Sequence, residues 1–349
     1  MLTLVPGGMG GSETYARALT REFAGTPEVS AIAYVPSNAA GFSEGVAEHV
    51  VKAVTTGGSS ARRLGAVLQA TIRSRTIQRS MADADVVHYP FTVAVPSPRK
   101  HQALVQTLHD VQHLDMPELF STAELLFRKR TYEGTARRAD AVVTISEFAK
   151  ERAIEFLGLE PEKVHVAYLG VDTSRYVANY GPREDFVLYP ARGWAHKNHT
   201  RLIRAMEIVR ATHPELGLVL TGGGLDRLGE LPEWVDRKGL VSQEELHDLY
   251  RSAKVMAFPS LYEGFGLPPL EAMASGCPVA ASWAGSIPEV CGDSAILFDP
   301  VDAEAIAAGI LDAVRQGVQL SRGGVEHASA FTWEKCRDSH VTAFRAAVG

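Results

Sequence analysis

Residues 260–276 read SLYEGFGLPPLEAMASG, and they place two carboxylates, Glu263 and Glu271, around a loop of glycines and prolines. The apolar run VMAFPS (255–260), which leads into this loop, is typical of a buried strand. LEAMAS (270–275) is typical of a short helix, and the two prolines suit the first turn of that helix. The stretch therefore predicts a strand, a loop and a helix in succession, which is the repeating unit of an α/β protein.

Strand-like and helix-like segments alternate along the rest of the chain. The predicted strands are LTLV (2–5), SAIAYV (30–35), DVVHY (85–89), ALVQTL (103–108), AVVTI (141–145), VHVAY (164–168), FVLYP (186–190), LGLVLTG (216–222), VMAFPS (255–260), PVAAS (278–282) and AILF (295–298). Most of these runs are separated by amphipathic stretches of helical length. This alternation predicts parallel sheets wrapped by helices.

The chain is expected to form two domains, because 349 residues are too many for one ordinary core. LGVDTSRYVANYGPRED (169–185) has no clear period, carries a Gly-Pro pair and separates two sets of predicted strands. We therefore expect two Rossmann-like, doubly wound domains over 1–175 and 176–330, with a cleft between them and a last helix over 331–349. In such sheets ligands bind beyond the carboxyl ends of the strands, so the residues that follow each strand are the informative ones.

Composition favours an ordinary globular protein of a reducing compartment. Apolar residues make up 46% of the chain and charged residues 22%, and the cysteines number only three. No apolar run approaches the roughly 20 residues that a membrane-spanning helix needs. We expect a cytoplasmic location, and the net charge of −6 gives no indication of nucleic-acid binding.

One set of basic residues raises the alternative of peripheral contact with the inner face of a membrane, through anionic lipid head groups. Solvated helix faces explain the same charges, and we prefer that interpretation. The residues are Arg62, Arg63, Arg73, Arg75, Arg79, Arg128, Lys129, Arg130, Arg137 and Arg138.

The loop around Glu263 has the chemistry of a nucleotide-sugar site. Gly264 and Gly266 let the backbone approach a ligand closely, and the N–H groups at the start of the next helix attract phosphate. A carboxylate suits the hydroxyls of a sugar, so a ligand with a phosphate middle and a hydroxylated group on each side would satisfy both Glu263 and Glu271. On spacing alone, a solvated turn residue and a favourable helix dipole explain the two glutamates equally well.

These residues resemble a known family. EGFGLPPLEAMASGCPVAAS (263–282) resembles the retaining nucleotide-sugar glycosyltransferases of family 4, which have the GT-B fold, and Glu263 to Glu271 is similar to their E-x7-E motif. Further similar segments are SETYARAL (12–19), TLHDVQHLDMPELF (107–120), TISEFAK (144–150), AYLGVD (167–172) and YPARGWAHKNHTRLIRA (189–205). The sequences HDVQHLDMPE and WAHKNH are most similar to those of the branch of bacterial mannosyl- and rhamnosyltransferases.

The resemblance implies that the second domain binds the donor. It implies that Glu271 holds the ribose hydroxyls and that Glu263 contacts the transferred sugar. Arg192 and Lys197 follow the first strand of this domain, and two cations there can neutralise the leaving diphosphate without a metal ion. The remaining donor-contacting residues of this prediction are Gly10, Gly11, Gly223, Leu240, Val241, Gly264, Phe265, Gly266 and Leu267.

The resemblance also implies that the first domain binds the acceptor and that the last helix crosses back onto it. His109 follows the predicted strand ALVQTL, and the matching histidine of the family contacts the transferred sugar. His109 therefore joins Arg192, Lys197 and Glu263 as a predicted catalytic residue. Gly10 and Gly11 end the loop PGGMGG, which the family places near the donor phosphate and the acceptor.

The predicted function is a retaining hexosyltransferase that needs neither a metal nor any cofactor besides its donor. The predicted donor is GDP-mannose, and the predicted acceptor is a hydroxyl of a saccharide, a glycolipid or a natural product. The resemblance implies a same-face substitution in which the leaving phosphate helps to deprotonate the acceptor. The alternatives are a nucleotide-sugar epimerase and a non-catalytic protein that binds a nucleotide sugar without turnover.

Overall fold

The computed structural model describes residues 1–58 and 60–349 of the chain. The chain divides into two compact units. The first unit consists of residues Met1–Gly170 and Trp333–Gly349, and the second unit of residues Val171–Thr332.

The strands of the first unit form two separate parallel sheets. They are β1 (Ile32–Pro36), β2 (Ala47–Val51), β3 (Val86–Tyr89), β4 (Ala103–Thr107), β5 (Ala141–Thr144) and β6 (Val164–Val166). One sheet pairs β1 with β2, and the other has the order β3-β4-β5-β6. Every residue of β4 and β5 is buried, as expected for parallel strands with both faces covered.

Helices of the first unit lie before and between its strands along the chain. They are α1 (Gly11–Ala24), α2 (Ser60–Ile72), α3 (Ser74–Ser80), α4 (Gln112–Asp115), α5 (Thr122–Arg128), α6 (Gly134–Arg138) and α7 (Glu147–Leu157), with a π-helical turn over Lys129–Glu133. α7 begins where the Ser146 hydroxyl accepts a hydrogen bond from the backbone N–H of Ala149, and it ends at Gly158 in the left-handed conformation.

The second unit is built on one continuous parallel sheet of six strands. They are β7 (Glu184–Pro190), β8 (Gly217–Thr221), β9 (Val235–Gly239), β10 (Ala253–Phe258), β11 (Val279–Ser282) and β12 (Ile296–Phe298). Their order in the sheet is β12-β11-β10-β7-β8-β9, so the chain order reverses between β7 and β10. In a doubly wound sheet such a reversal opens a crevice at the carboxyl ends of the strands.

Six helices belong to the second unit. They are α8 (His199–Thr212), α9 (Gln243–Ser252), α10 (Leu267–Ala274), α11 (Ile287–Cys291), α12 (Ala303–Arg315) and α13 (Gly317–Ser329). The last helix of the chain, α14 (Trp333–Val348), is part of the first unit, where it packs against α1 and the strands of the four-stranded sheet.

The predicted α/β class with parallel sheets is confirmed, with one strand prediction wrong. LTLV (2–5) forms turns, in which the N–H of Leu4 donates to the carbonyl of Met1, although Leu2, Leu4 and Val5 are buried. A short apolar run is buried in either conformation, so its composition does not decide between them. The other ten predicted runs each overlap a strand. No helix within the described residues is long and apolar enough to cross a membrane.

Candidate active site

Predicted donor-binding residues of the second unit gather at one edge of its sheet. Strands β10, β7, β8 and β9 are consecutive neighbours, and all of them run parallel. Their carboxyl ends therefore share one edge. Arg192 and Lys197 follow β7, Gly223 follows β8, Leu240 follows β9, and Glu263 follows β10.

Lys197 and Glu263 form an ion pair across two of these loops. The ammonium nitrogen of Lys197 lies 2.5 Å from Oε1 of Glu263, and the two side chains are only 14% and 13% exposed. The pair joins the loop after β7 to the loop after β10, which are separated by 66 positions in sequence. Charges with so little solvent around them interact more strongly than an exposed surface pair does.

Tight backbone contacts with residues beyond β11 hold Glu263 in place. The Ser286 hydroxyl donates to the backbone carbonyls of Glu263 (3.1 Å) and Phe265 (2.6 Å), and the Ser286 N–H also donates to the carbonyl of Glu263 (3.2 Å). Gly285 packs so closely that a β-carbon on it would lie 2.7 Å from the carbonyl oxygen of Glu263. The backbone of Glu263 is therefore fixed independently of its ion pair.

The loops after β7 and β10 are also joined by uncharged hydrogen bonds. The N–H of Leu261 donates to the carbonyl of His196 at 2.8 Å. The buried amide of Asn198 donates to the carbonyls of Pro259 (3.0 Å) and Pro300 (2.7 Å). The hydroxyl of the fully buried Tyr189 donates to the carbonyl of Lys197 at 2.7 Å. These bonds set the position from which the Lys197 side chain extends.

Arg192 is the second cation at this edge. It is partly exposed, and its guanidinium lies 5.4 Å from the ring centroid of Trp194. A cation over an indole face is held without being neutralised, so it keeps its charge for an anionic ligand.

Gly223, Leu240 and Val241 lie on the β8–β9 side of the edge. Leu240 is 80% exposed, and a β-carbon on Gly223 would lie 3.7 Å from its side chain. Val241 is half-buried. Leu240 therefore presents an exposed apolar side chain beside a glycine at the edge of the sheet.

Helix α10 begins at the predicted phosphate-binding segment. Gly266 occupies its N-cap with φ +110°, a conformation that only glycine adopts without strain, and a β-carbon there would lie 2.5 Å from the Ile287 side chain. Leu267 is the first helical residue and is buried, as is Phe265, whose ring meets Phe331 edge-on. Phe265 and Leu267 therefore anchor the start of α10, while Gly264 is only half-buried.

Glu271 is the fifth residue of α10, and the first turn of that helix holds no acidic residue. A favourable helix dipole, which acts within the first turn, therefore does not explain Glu271. The hydroxyl of Tyr250 donates to Oε2 of Glu271 at 3.0 Å, and the hydroxyl of Tyr176 donates to the same carboxylate. Burial raises the pKa of Glu271, and the two hydroxyls oppose that rise. The Glu271 carboxylate is therefore desolvated, and further hydrogen-bond donors would stabilise its charged form.

Predicted residues of the first unit form a second group. Gly10 is the N-cap of α1, and Gly11 begins that helix. His109 follows β4, and its Nε2 lies 2.8 Å from the carbonyl oxygen of Pro90. The ring of Tyr15 in α1 packs edge-on against the His109 ring, with 5.2 Å between the ring centroids. Burial lowers the pKa of His109, so the ring is neutral near pH 7.

A buried polar chain behind His109 ties α14 to the sheet of the first unit. His340 Nδ1 lies 2.7 Å from the Cys336 carbonyl and therefore carries the proton, which leaves Nε2 to accept from the Tyr15 hydroxyl at 2.6 Å. The Thr107 hydroxyl lies 2.8 Å from both the Tyr15 oxygen and Nε2 of His88. Burial lowers the pKa of His340 to about 4 and that of His88 well below its usual value.

Sequence reasoning missed the residues that hold the predicted ones in place. Tyr176 and Tyr250 orient Glu271, Gly285 and Ser286 fix Glu263, and Tyr15 backs His109. Gly285 and Ser286 follow β11, and the rule that ligands bind beyond strand ends could have indicated them. The two tyrosines come from distant parts of the chain and carry no local signal.

Two family models match this chain. The model described as Glycosyltransferase Family 4 matches residues 9–175, and the model described as Glycosyl transferases group 1 matches residues 172–324. The first match lies almost wholly in the first unit and the second lies in the second unit.

Curated relatives include several bacterial mannosyltransferases. O-antigen chain mannosyltransferase B of Escherichia coli is 27% identical over 71% of this chain and 71% of its own length. MMP alpha-(1->4)-mannosyltransferase of Mycolicibacterium hassiacum is 31% identical over 61% of this chain, and O-antigen chain mannosyltransferase RfbU of Salmonella typhimurium is 27% identical over 58%. The matches span only 56% and 59% of the length of these two proteins.

Solved structures are similar over almost the whole chain. Anabaena HepE in complex with UDP and glucose has a TM-score of 0.72 at 19% identity and covers 97% of both chains. Sucrose-phosphate synthase from Thermosynechococcus elongatus has a TM-score of 0.74 at 19% identity and covers 96% of this chain and 93% of its own. The fold is therefore the GT-B fold, as predicted.

The family models and the relatives together identify an enzyme that transfers a sugar. The chain belongs to the family 4 glycosyltransferases, on the branch that contains the bacterial mannosyltransferases it matches. The predicted family is confirmed.

Proposed function

We propose that this protein is a retaining hexosyltransferase that takes its sugar from a nucleotide-sugar donor bound at the sheet edge of the second unit. The observation that carries this proposal is the set of charges at that edge: the Lys197–Glu263 pair, the cation Arg192 and the desolvated carboxylate Glu271. A diphosphate matches the two cations, and sugar hydroxyls match the two carboxylates.

Each of these residues has one role in the proposed reaction. Arg192 and Lys197 neutralise the diphosphate as it leaves, without a metal ion. Glu271, already held by two tyrosine hydroxyls, accepts hydrogen bonds from the ribose. Glu263 contacts the transferred sugar, and the backbone N–H groups of the 264–267 segment lie near sugar and phosphate. Gly223, Leu240 and Val241 border the base.

Bond changes occur on one face of the transferred sugar. The bond from its anomeric carbon to the phosphate oxygen breaks, the bond to the acceptor oxygen forms, and the acceptor proton goes to the leaving phosphate. Glu263 is a poor nucleophile for a covalent alternative, because its carboxylate is engaged by Lys197 at 2.5 Å. We assign it the positioning and electrostatic support of the developing positive charge.

The first unit is assigned the acceptor, which is a hydroxyl of a saccharide, a glycolipid or a natural product. His109, neutral and fixed by Pro90 and Tyr15, is proposed to contact the transferred sugar. Gly10 and Gly11, at the start of α1, are proposed to approach donor phosphate and acceptor. Peripheral contact of the basic residues with a membrane stays a prediction.

We propose GDP-mannose as the donor. The mannosyltransferase names of several relatives support mannose as the transferred sugar and do not name the base. HepE of Anabaena, a more distant protein, has been solved with UDP-glucose. The base and the sugar are therefore the features to test first.

A thermal-shift panel of GDP, UDP, dTDP and ADP sugars, with and without EDTA, tests the donor. A donor at about 100 times its dissociation constant stabilises the protein by roughly 2.7 kcal/mol. We expect GDP-mannose to raise the melting temperature most, equally with EDTA, and to be hydrolysed slowly. If none of the nucleotide sugars raised the melting temperature, the proposed donor site would be contradicted. If a nucleotide sugar bound but was not turned over with any acceptor, a non-catalytic protein would be favoured.

The stereochemical outcome needs a separate measurement. The one-bond coupling between the anomeric carbon and its proton in the first product formed, read by NMR, distinguishes retention of the donor configuration from inversion. Retention is the expected result. An epimerised donor formed without any acceptor would instead identify an epimerase.

A further inference from the structure

One residue of the first unit holds a backbone conformation that its side chain disfavours. Within the described residues, Thr92 and Asn198 are the two residues other than glycine with a positive φ. Asparagine adopts this region readily, but threonine branches at its β-carbon, so a φ of +67° at Thr92 is a genuine outlier. A strained residue of this kind persists only where its surroundings fix it, and such residues cluster at functional sites.

Thr92 is the central residue of a tight turn. The N–H of Val93 donates to the carbonyl of Phe91 at 2.7 Å, which closes a three-residue γ-turn around Thr92. The γ-turn with a positive φ at its centre is the rare and strained form. Phe91, Thr92 and Val93 are all buried. The turn is therefore packed inside the first unit and does not lie free on its surface.

Hydrogen bonds attach this turn to the end of β4. The Thr92 hydroxyl donates to the carbonyl of Thr107 at 3.0 Å, and the side-chain amide of Gln106 donates to the carbonyl of Thr92 at 2.5 Å. All three residues are buried, so these bonds are shielded from water. Gln106 and Thr107 are the last two residues of β4, and His109 follows two positions later. The turn is thus fixed to the strand that carries His109.

The same turn follows the carbonyl that holds the His109 ring. Pro90 immediately precedes Phe91, and its carbonyl oxygen lies 2.8 Å from Nε2 of His109. A carbonyl only accepts hydrogen bonds, so Nε2 carries the proton and Nδ1 of the neutral ring keeps its lone pair. The position of the Pro90 carbonyl therefore decides which nitrogen of His109 can accept a hydrogen bond from a sugar hydroxyl.

We propose that Thr92 is a positioning residue for sugar transfer: its turn holds the Pro90 carbonyl, which keeps His109 in the tautomer whose Nδ1 accepts from the transferred sugar. This role rests on the proposed contact of His109 with that sugar. The strained conformation is retained because it places the Pro90 carbonyl, and a small misplacement of a group at the reacting centre lowers the rate strongly. A turn that only closed the loop after β3 would leave the His109 ring unaffected.

Three variants of the full chain test this role in transfer assays. Thr92→Val keeps the size and branching of the side chain but loses the hydroxyl, whereas Thr92→Ser keeps the hydroxyl. Thr20→Val is the matched control, because Thr20 of α1 is also buried and its hydroxyl donates to the Arg17 carbonyl at 2.8 Å. Thr92→Val should lower kcat by about tenfold or more, with the KM for the donor changed by less than about twofold. Thr92→Ser and Thr20→Val should stay within about twofold of the wild-type kcat.

Nitrogen-15 NMR of histidine-labelled protein reads the His109 tautomer directly, and the loss of signals in His109→Ala assigns them. At pH 7 the wild type and Thr92→Ser should show a protonated Nε2 and an unprotonated Nδ1. Thr92→Val should show a mixture of the two tautomers. A single, unaltered tautomer in Thr92→Val, or the same mixture in Thr20→Val, would overturn the proposal.

A double variant separates the role of Thr92 from that of His109. In the His109→Ala background, Thr92→Val should lower kcat no further, because Thr92 acts through His109. An undiminished further loss there would overturn the proposal. Full transfer by His109→Ala alone would contradict the proposed function of His109, and the role of Thr92 in transfer would fall with it. The NMR result distinguishes these two failures, because the tautomer of His109 is read without any donor or acceptor.

Discussion

The two units are built from the same parallel strands and surrounding helices, but only the second has an uninterrupted sheet. Its six strands bring four loops to one edge, and those loops are tied by backbone hydrogen bonds and one ion pair. In the first unit the strands fall into two sheets, and a groove lies between the edges of β1 and β3. The second unit thus has charged groups at the edge of its sheet, whereas the first unit has a buried chain of neutral hydrogen-bonded side chains behind His109.

The largest expected effect falls on the ion pair of the second unit. Glu263→Gln and Lys197→Ala should each lower kcat/KM for sugar transfer by about 10²–10³-fold, because each removes a charge aimed at the reacting groups. The double variant should cost little more than either single one, since the two side chains act as a pair. Steady-state transfer assays measure this, with exposed Arg322→Ala of α13 as the control. Full additivity would show that the two residues act separately.

The next effect compares buried histidines of the two units. Burial lowers the pKa of His340 in the first unit and of His199 in the second to about 4, from an ordinary value of 6.5. The unfolded state then binds more protons between pH 6.5 and 4, so the stability of the folded state falls as the pH falls through that window. Each histidine should contribute about 3 kcal/mol to this loss.

Urea unfolding at pH 7 and pH 4 measures that loss, and a His340→Gln variant isolates the first unit. The variant should be less stable at pH 7, because it breaks the chain from Cys336 to Tyr15, but its stability should depend less on pH. An unchanged pH dependence would show that His340 is not the titrating group.

A smaller effect is expected at the desolvated carboxylate. Tyr250→Phe removes the hydroxyl that donates to Glu271 at 3.0 Å and leaves the rest of the ring in place. The pKa of Glu271 should rise further, and donor affinity should fall by about tenfold or more, because a net hydrogen bond to a charged group is worth roughly 1.5 kcal/mol or more. Donor titrations at several pH values measure both changes. If the variant bound the donor with wild-type affinity at every pH, the proposed contact between Glu271 and the donor would be contradicted.

The smallest effect is expected at the support of Glu263. Ser286→Ala removes the hydroxyl that donates to the carbonyls of Glu263 and Phe265, while the backbone N–H of Ser286 still donates to Glu263. Loss of a buried hydroxyl bond should lower the free energy of unfolding by about 1 kcal/mol. We expect kcat to fall by less than about tenfold with little change in KM, which kinetic assays and thermal unfolding of the same sample measure. A free energy of unfolding equal to that of the wild type would contradict the proposed support of Glu263 by the Ser286 hydroxyl.

The sequence predicted the core strands well because these carry uniformly apolar, β-branched runs. It missed β2 and β9, whose sequences AEHVV and VDRKG include polar and charged residues, because each lies at the edge of a sheet. It also misjudged LTLV (2–5), which is buried in turns beside the groove. The residue types in a run do not identify an edge strand that contains polar residues. They also do not identify an apolar segment that is buried without forming a strand.

Local sequence placed Glu263, Arg192, Lys197 and Gly223 after strands, and the order of the sheet then brought those strand ends to one edge. The Lys197–Glu263 bond could not be predicted, because it depends on the adjacency of β7 and β10. The same holds for the tyrosines around Glu271, which reach it only through tertiary packing.

The central claim, that the sheet edge of the second unit binds the diphosphate of a nucleotide sugar, is tested most directly by calorimetric titration of the best donor from the panel into Arg192→Ala. The guanidinium of Arg192 is held over Trp194 without being neutralised, so its loss should weaken donor binding by about 10- to 100-fold. Arg322→Ala should bind the donor as the wild type does. Equal donor affinity of Arg192→Ala and wild type would contradict the claim.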